Sequence, residues 1–207
     1  NLCHRSSACI QKIINDDIIL YTELDSVFDF DNIRLYLDSI KDWKIGKKSD
    51  GTQIKRLQKW FHINNKFFSE QWKKRPERWV SCDYDNFLLN LQKNVQDWVN
   101  KEENIPDVNI NSLLINKYRN GNDYIKKHTD SDYSFGKYPV IINMSIGEKR
   151  NIIFTEKETN NKLNIELPDR SIIIMKNKSQ IKYLHEIPKT DKNLNKRYSL
   201  TWREHIK

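Results

Sequence analysis

From residue 111 onward the chain divides into short β-rich runs separated by turn residues, and this pattern restricts its fold more than anything upstream. The runs are Leu113–Tyr118, Val140–Ile146, Asn151–Thr155, Lys162–Leu167, Ser171–Met175, Ile181–Ile187 and Tyr198–Arg203. Between them lie Asn120 to Asp123, Gly147 to Lys149, Thr159 to Asn161 and Pro168 to Asp169, all polar or carrying Gly or Pro. Several short strands with regular turns predict an antiparallel sandwich or barrel. Before residue 110 helical patterns and mixed polar segments dominate. Phe30 to Trp43 carries Ile33, Leu37 and Ile40 at helical spacing, with Asp31 as the candidate N-cap. Asp85 to Val99 places Phe87, Leu91, Val95 and Trp98 on one face, as a helix packed on a sheet requires. Helices first and strands later predict an α+β fold, mainly β, with N-terminal helices buttressing one sheet.

A length of 207 residues suits one domain with an N-terminal extension and a sizeable core. With 37% hydrophobic and 31% charged residues, a globular protein fits and wholesale disorder does not. The longest apolar runs, such as Ile172 to Met175, are strand-sized and too short to cross a bilayer, so no membrane partner is expected. Residues Asn1 to Ile14 lack the apolar centre of a signal peptide, although without an initiator Met an upstream targeting segment stays open. Cys3, Cys9 and Cys82 have no metal-like spacing and one would be left over from any disulfide, which favours a reduced, intracellular setting, nuclear or cytoplasmic. A monomer is expected. The formal charge of +8 draws the chain towards polyanions, and nucleic acid is the natural one, although Lys-rich surfaces also simply keep proteins in solution.

The most specific chemistry lies at His128 and Asp130, with His185 following 57 residues later. Residues two apart on an extended strand share a face, so His128 and Asp130 can bind one ion while Thr129 points away. His185 must arrive from another strand. Two imidazoles and one carboxylate form the facial triad of non-heme Fe(II) oxygenases, which keeps positions free for a chelating co-substrate and O2. Zinc is the competing metal, but its sites favour additional Cys or His ligands, and none stands at useful spacing. Arg197 and Arg203 share a strand face with Ser199 and Thr201 between them. Two guanidiniums and two hydroxyls on one face suit a dicarboxylate held at both ends, where an ordinary basic edge strand is the plainer alternative.

The run from Leu114 to Asp132 resembles the core of the AlkB family of Fe(II)/2-oxoglutarate nucleic-acid demethylases, nearest the branch that repairs alkylated DNA and RNA bases. The later Leu184 to Pro188 and the strand Arg197 to Arg203 resemble that family's closing motifs, and the similarity covers roughly residues 54 to 204. The resemblance implies a double-stranded β-helix, or jelly roll. It implies that His128, Asp130 and His185 ligate iron and that Arg197 pairs with the distal carboxylate of 2-oxoglutarate. By the same resemblance Arg203 lies near the keto-acid end, Asn116 and Tyr118 hydrogen-bond the co-substrate, and Thr201 lines its pocket. Decarboxylation of 2-oxoglutarate to succinate and CO2 would accompany hydroxylation of an N-methyl group, which leaves as formaldehyde.

Asp132 falls where family members contact the target base, and its carboxylate suits an exocyclic amine; a turn Asp facing solvent is the alternative. The segment Lys55 to His62 resembles the family's nucleotide-recognition lid, which offers Arg56, Gln58, Trp60 and Phe61, followed by Phe67 and Phe68, for phosphate contacts and base stacking. These aromatics serve equally well as packing between lid and core. Arg150 falls where relatives have an arginine near the substrate mouth. Three departures stand out: Ser199 replaces the usual Asn between the arginines, His62 a common Gly, and Trp202 a common Phe.

The expected organisation is an N-terminal extension over residues 1–50, a lid with its supporting helix over 51–110, and the dioxygenase core over 111–207. Two other readings stay open. One is a 2-oxoglutarate-dependent hydroxylase or demethylase of a protein or small molecule, and the other a catalytically inert nucleic-acid-binding homologue.

Overall fold

The structure, a computed structural model, describes residues 9–47, 51–64, 66, 80–102 and 104–207. In chain order the elements are β1 (Ile10–Asn15), β2 (Ile18–Thr22), α1 (Phe30–Ser39), β3 (Leu57–His62), α2 (Asn86–Val99), β4 (Ser112–Tyr118), β5 (Ile125–His128), α3 (Asp132–Phe135), β6 (Ile141–Gly147), β7 (Arg150–Glu156), β8 (Lys162–Leu167), β9 (Ser171–Met175), α4 (Ser179–Lys182), β10 (Tyr183–Ile187) and β11 (Arg197–Arg203). Every pairing between these strands is antiparallel. A seven-stranded sheet has the order β1-β2-β9-β6-β11-β4-β3, and a four-stranded sheet the order β5-β10-β7-β8. This is the jelly roll that the family resemblance implies, mainly β with few helices.

Two cores explain why strands such as β9 are apolar at every position. Ile172 and Ile174 face a core shared with α1 and α2, which holds Leu37, Leu91, Val95 and Trp98. Ile173 and Met175 face the other way, into a core between the sheets with Ile152, Phe154 and Leu167. Strands covered on both faces read as continuous apolar runs, and each fully buried Ile or Leu contributes roughly 1.5–3 kcal/mol. On β11 the alternation separates chemistry from packing: Tyr198, Leu200 and Trp202 enter the helix-side core. Arg197, Ser199, Thr201 and Arg203 therefore share the opposite face.

The helices start one cap away from the sequence expectation or on it. Asp29, not Asp31, caps α1, its carboxylate accepting from Asn32 N at 3.1 Å. Asp31 lies in the first turn and pairs with Arg170 at 2.6 Å. Helix α1 ends at Ser39, short of Trp43. Asp85 caps α2 through Leu88 N at 2.9 Å. Its buried stripe includes Leu88 in place of Phe87, which stacks on Tyr36 with centroids 4.2 Å apart.

The larger differences lie upstream of residue 110, where β1, β2 and β3 join the seven-stranded sheet beside the expected helices. Asp17, in the β1–β2 turn, binds Lys178 N at 3.0 Å and Lys182 Nζ at 2.6 Å. The amino-terminal hairpin is thereby tied to α4, the turn that precedes β10 and takes in Ile181 and Lys182, the first two residues of the strand expected over Ile181–Ile187.

On β3, Trp60 is buried and His62 is only 3% exposed, edge-on to His205 at 5.2 Å. Burial first, then the nearby His205 and Lys66, push His62 down to about 4. Because the unfolded imidazole titrates near 6.5, the unfolded chain binds the extra proton as pH falls from 6.5 towards 4. The stability from the neutral buried ring is therefore complete above pH 6.5 and lost progressively as pH falls towards 4. Urea denaturation at pH 7.5, 6.0 and 5.0 is expected to show this loss, with a shallower slope in His62→Gln; an unchanged slope in that variant would exonerate His62.

Candidate metal centre and co-substrate seat

His128 ends β5 and stands directly opposite His185 on β10, their ring centroids 4.2 Å apart. The extended strand stops there. Asp130 lies two residues past its end, where its backbone N–H donates to Gln180 Oε1 at 2.9 Å. From there the carboxylate meets the two imidazoles. Potential ligand atoms of His128, Asp130 and His185 all lie within 4.8 Å of one another, close to the span of two metal–ligand bonds of roughly 2.1 Å.

The surroundings prepare these groups for a metal. His128 Nδ1 is 2.8 Å from the Lys126 carbonyl oxygen, which only accepts, so the proton resides on Nδ1 and the Nε2 lone pair is left for a metal. Nε2 lies 3.8 Å from Asp130 Oδ1. Burial pushes His185 down to about 3 and lowers His128 as well, although Asp130 opposes both shifts. Both rings are thus neutral and able to ligate. Burial, the largest single effect, would raise Asp130, but the charge and hydrogen bond of Arg203 together with the two imidazoles outweigh it and hold the carboxyl below its ordinary range. Arg203 Nε donates to Asp130 Oδ2, and both side chains are almost fully buried.

These residues line a cavity of about 470 Å3 together with Arg56, Gln58, Asn116, Tyr118, Asn143, Arg197, Ser199 and Thr201, within the usual range for a small-molecule site. Arg197 is 1% exposed. Its Nη2 donates to Ser145 Oγ at 2.7 Å, while Nε and Nη1 have no hydrogen-bond partner among the described residues. Arg203 Nη1 is also buried without one. Burial lowers Arg197 to about 10, yet it stays charged at neutral pH, over the Tyr118 ring at 5.3 Å. Buried cations with unpaired donors call for an anion, and two at opposite ends of one strand face suit a dicarboxylate. Asn116 Oδ1 accepts from Arg56 Nε and Gln58 Nε2, both at 2.9 Å, which leaves its NH2 as a further donor. The donor set fits both Fe(II) and 2-oxoglutarate.

The structure separates the remaining candidates. Arg56 and Gln58 join the cavity wall. Trp60 and Phe61 do not: Trp60 Nε1 donates to the Lys66 carbonyl at 3.0 Å, and Phe61 packs on Tyr84 in the helix-side core. Trp60 also sits against His62 and His205, at 6.0 and 5.7 Å, so both rings are buried among neighbours, as the packing alternative left open by the sequence expects. Arg150 is not among the residues lining the cavity. It is buried over the ring of the lining residue Tyr118, at 5.5 Å, and donates to the carbonyls of Asn120 (3.2 Å), Asp123 (3.0 Å) and Pro188 (2.6 Å). This brace ties the loop before β5 to the end of β10 and leaves Arg150 little to offer a substrate. Asp132 sits exposed in the first turn of α3, beside the lining residue Ser131, and accepts from Tyr133 N at 2.8 Å. Phe67 and Phe68 lie outside the described residues.

Sequence reasoning missed Asn143, Ser145 and Gln180. The first two were detectable as polar residues two apart inside an apolar strand, hence on one face. Gln180 carried no such signal.

Among the described residues no helix is long and apolar enough to cross a membrane. In comparisons with known proteins, residues 46–203 match the family described as the 2OG-Fe(II) oxygenase superfamily. Human alpha-ketoglutarate-dependent dioxygenase alkB homolog 3 is 32% identical over 102 residues, 45% of this chain and 36% of that protein. The DNA oxidative demethylase ALKBH2 of Arabidopsis thaliana is 25% identical over 122 residues, 48% of this chain and 39% of that protein. The chain thus spans well under half the length of these curated relatives. In fold it matches the structure of OsALKBH1 with a TM-score of 0.63 at 14% identity, over 93% of this chain and 100% of that one. Because the family match runs through the triad, the arginine strand and most of the chain, this protein belongs to the 2OG-Fe(II) oxygenase superfamily, which uses Fe(II) and 2-oxoglutarate, and it is a relative of the AlkB homologues.

Proposed function

We propose that this protein oxidatively demethylates N-alkylated bases, such as 1-methyladenine or 3-methylcytosine, in DNA or RNA, acting as an intracellular monomer. The observation that carries the reading is the cationic rim of the iron cavity. Lys55, Lys126 and Lys127 are exposed at its mouth beside Arg56, and a backbone hydrogen bond from Tyr124 N to Lys55 O joins the two segments. Cations around a concave site suit a base drawn in while its phosphates stay outside. The relatedness to the DNA demethylase ALKBH2 supports the same substrate class.

Fe(II) and 2-oxoglutarate, when bound, supply the oxidation that turns an N-methyl group into a hydroxymethyl group, which then departs as formaldehyde. The chain's part is positional. His128, Asp130 and His185 would hold the metal, while Arg197, Arg203 and the Asn116 amide hold the dicarboxylate. Leu114, Phe135, Ile152, Met175 and Ile187 make much of the remaining wall apolar and limit water. Asp132 at the rim offers its carboxylate to an exocyclic amine, and the lid with its supporting helix falls within residues 51–110.

The test is mass spectrometry of DNA and RNA oligonucleotides carrying 1-methyladenine, 3-methylcytosine or N6-methyladenine, incubated with Fe(II), 2-oxoglutarate and ascorbate. Loss of a methyl group with one formaldehyde and one succinate per base is expected. Asp132→Ala should change base preference while succinate formation without substrate persists. Succinate formed while every methylated base survives would place the substrate outside nucleic acid and overturn the proposal.

A further inference from the structure

Asn143 lies on β6 opposite Thr201 and reaches the arginine-bearing face of β11. Its Nδ2 is 2.6 Å from Ser199 Oγ and 2.8 Å from Thr201 Oγ1. Its Oδ1 is buried with no hydrogen-bond partner among the described residues. A buried acceptor left unpaired costs about 1–3 kcal/mol. The two ends of a carboxamide are nearly alike in shape, so partners decide which way it faces. Turned over, the amide accepts both hydroxyl protons on Oδ1, and its NH2 occupies the place of the unpaired oxygen. An anion in the cavity favours that orientation, because the amide then adds donors to the unpaired N–H groups of Arg197 and Arg203. Ser199 and Thr201 lie between the two arginines on β11, so Asn143 meets the middle of the seat.

We propose that Asn143 binds the dicarboxylate co-substrate directly through its carboxamide N–H groups, so that β6 supplies the amide that Ser199 does not provide on β11. The inference rests on 2-oxoglutarate being the co-substrate. It makes the amide a two-position element: the hydroxyls of Ser199 and Thr201 hold it either way, and the ligand selects the donor-inward position.

Anaerobic calorimetry of 2-oxoglutarate binding to the Mn(II)-loaded protein tests this without turnover. Asn143→Ser is expected to weaken 2-oxoglutarate roughly 10- to 100-fold, the loss of a hydrogen bond to a charged group. Asn143→Asp has nearly the same shape and still accepts from both hydroxyls, but it turns only oxygen towards the ligand and should weaken binding at least as much. The exchange Asn143→Ser with Ser199→Asn is expected to regain most of the affinity. Mn(II) binding should be unchanged in the Ser variant. Wild-type affinity for 2-oxoglutarate in Asn143→Asp would overturn the proposal, as would parallel loss of Mn(II) and 2-oxoglutarate in Asn143→Ser. If the Mn(II)-loaded wild type itself ignores 2-oxoglutarate, the co-substrate reading fails first, a pattern distinct from either.

Discussion

His185→Ala is expected to lose Fe(II) binding by more than about 100-fold, beyond the 10- to 100-fold seen when a mere outer partner of a ligand is removed. Iron-dependent succinate formation should fall below detection, whether or not a nucleic acid is present. The choice of His185 over Asp130 matters. Removing Asp130 would leave the Arg203 guanidinium buried without its carboxylate, a cost of about 3–5 kcal/mol that confuses a folding defect with a chemical one. His185 is neutral in the metal-free protein, so its loss leaves a small cavity and no orphaned charge. Iron titration with circular dichroism as a folding control checks the expectation. A His185→Ala protein that keeps full iron-dependent activity would remove this residue from the centre.

Arg197→Met is expected to act in opposite directions on function and stability. Two charge-assisted hydrogen bonds to a carboxylate, each worth about 1.5–3 kcal/mol, disappear, so the 2-oxoglutarate requirement should rise by roughly 100-fold or more. Yet the ligand-free protein should melt at the same temperature or higher. In the wild type this guanidinium is buried with two of its nitrogens unpaired among the described residues, and an apolar side chain of similar length removes that desolvation burden. Thermal melts with and without 2-oxoglutarate separate the effects: the variant should lose the ligand-induced shift and keep oligonucleotide affinity. Unchanged dependence on 2-oxoglutarate would sink the assignment of Arg197.

The β region after residue 111 was legible because its strands alternate or stay fully apolar between polar turns, and β8 and β9 fall where the pattern places them. The triad was legible because His128 and Asp130 are close in sequence and the arginine strand has one clean polar face. What the sequence hid depends on distant partners. Strand β2 owes its place to pairing with β9, some 150 residues away, and β1 follows it as the outer strand of their hairpin. Trp60 and Phe61 looked like a stacking platform because an aromatic beside basic residues reads alike in a lid and in a covered strand. Nothing local reveals that three carbonyls converge on Arg150. Gln180 holds Asp130 through a single long-range bond, which no spacing rule foretells.

The strand order also bears on how the chain comes to be folded. β11 lies between β4 and β6 in the large sheet, yet about fifty residues separate the end of β6 from its start. At roughly 5–20 residues per second, a growing chain leaves β4 and β6 without their shared neighbour for several seconds. Both present apolar residues and unpaired backbone edges during that interval, the condition that invites aggregation. Closing such long loops slows folding. The strand that carries both arginines is thus also the one whose arrival completes the sheet, and changes made there to tune chemistry will register in the yield of folded protein as well.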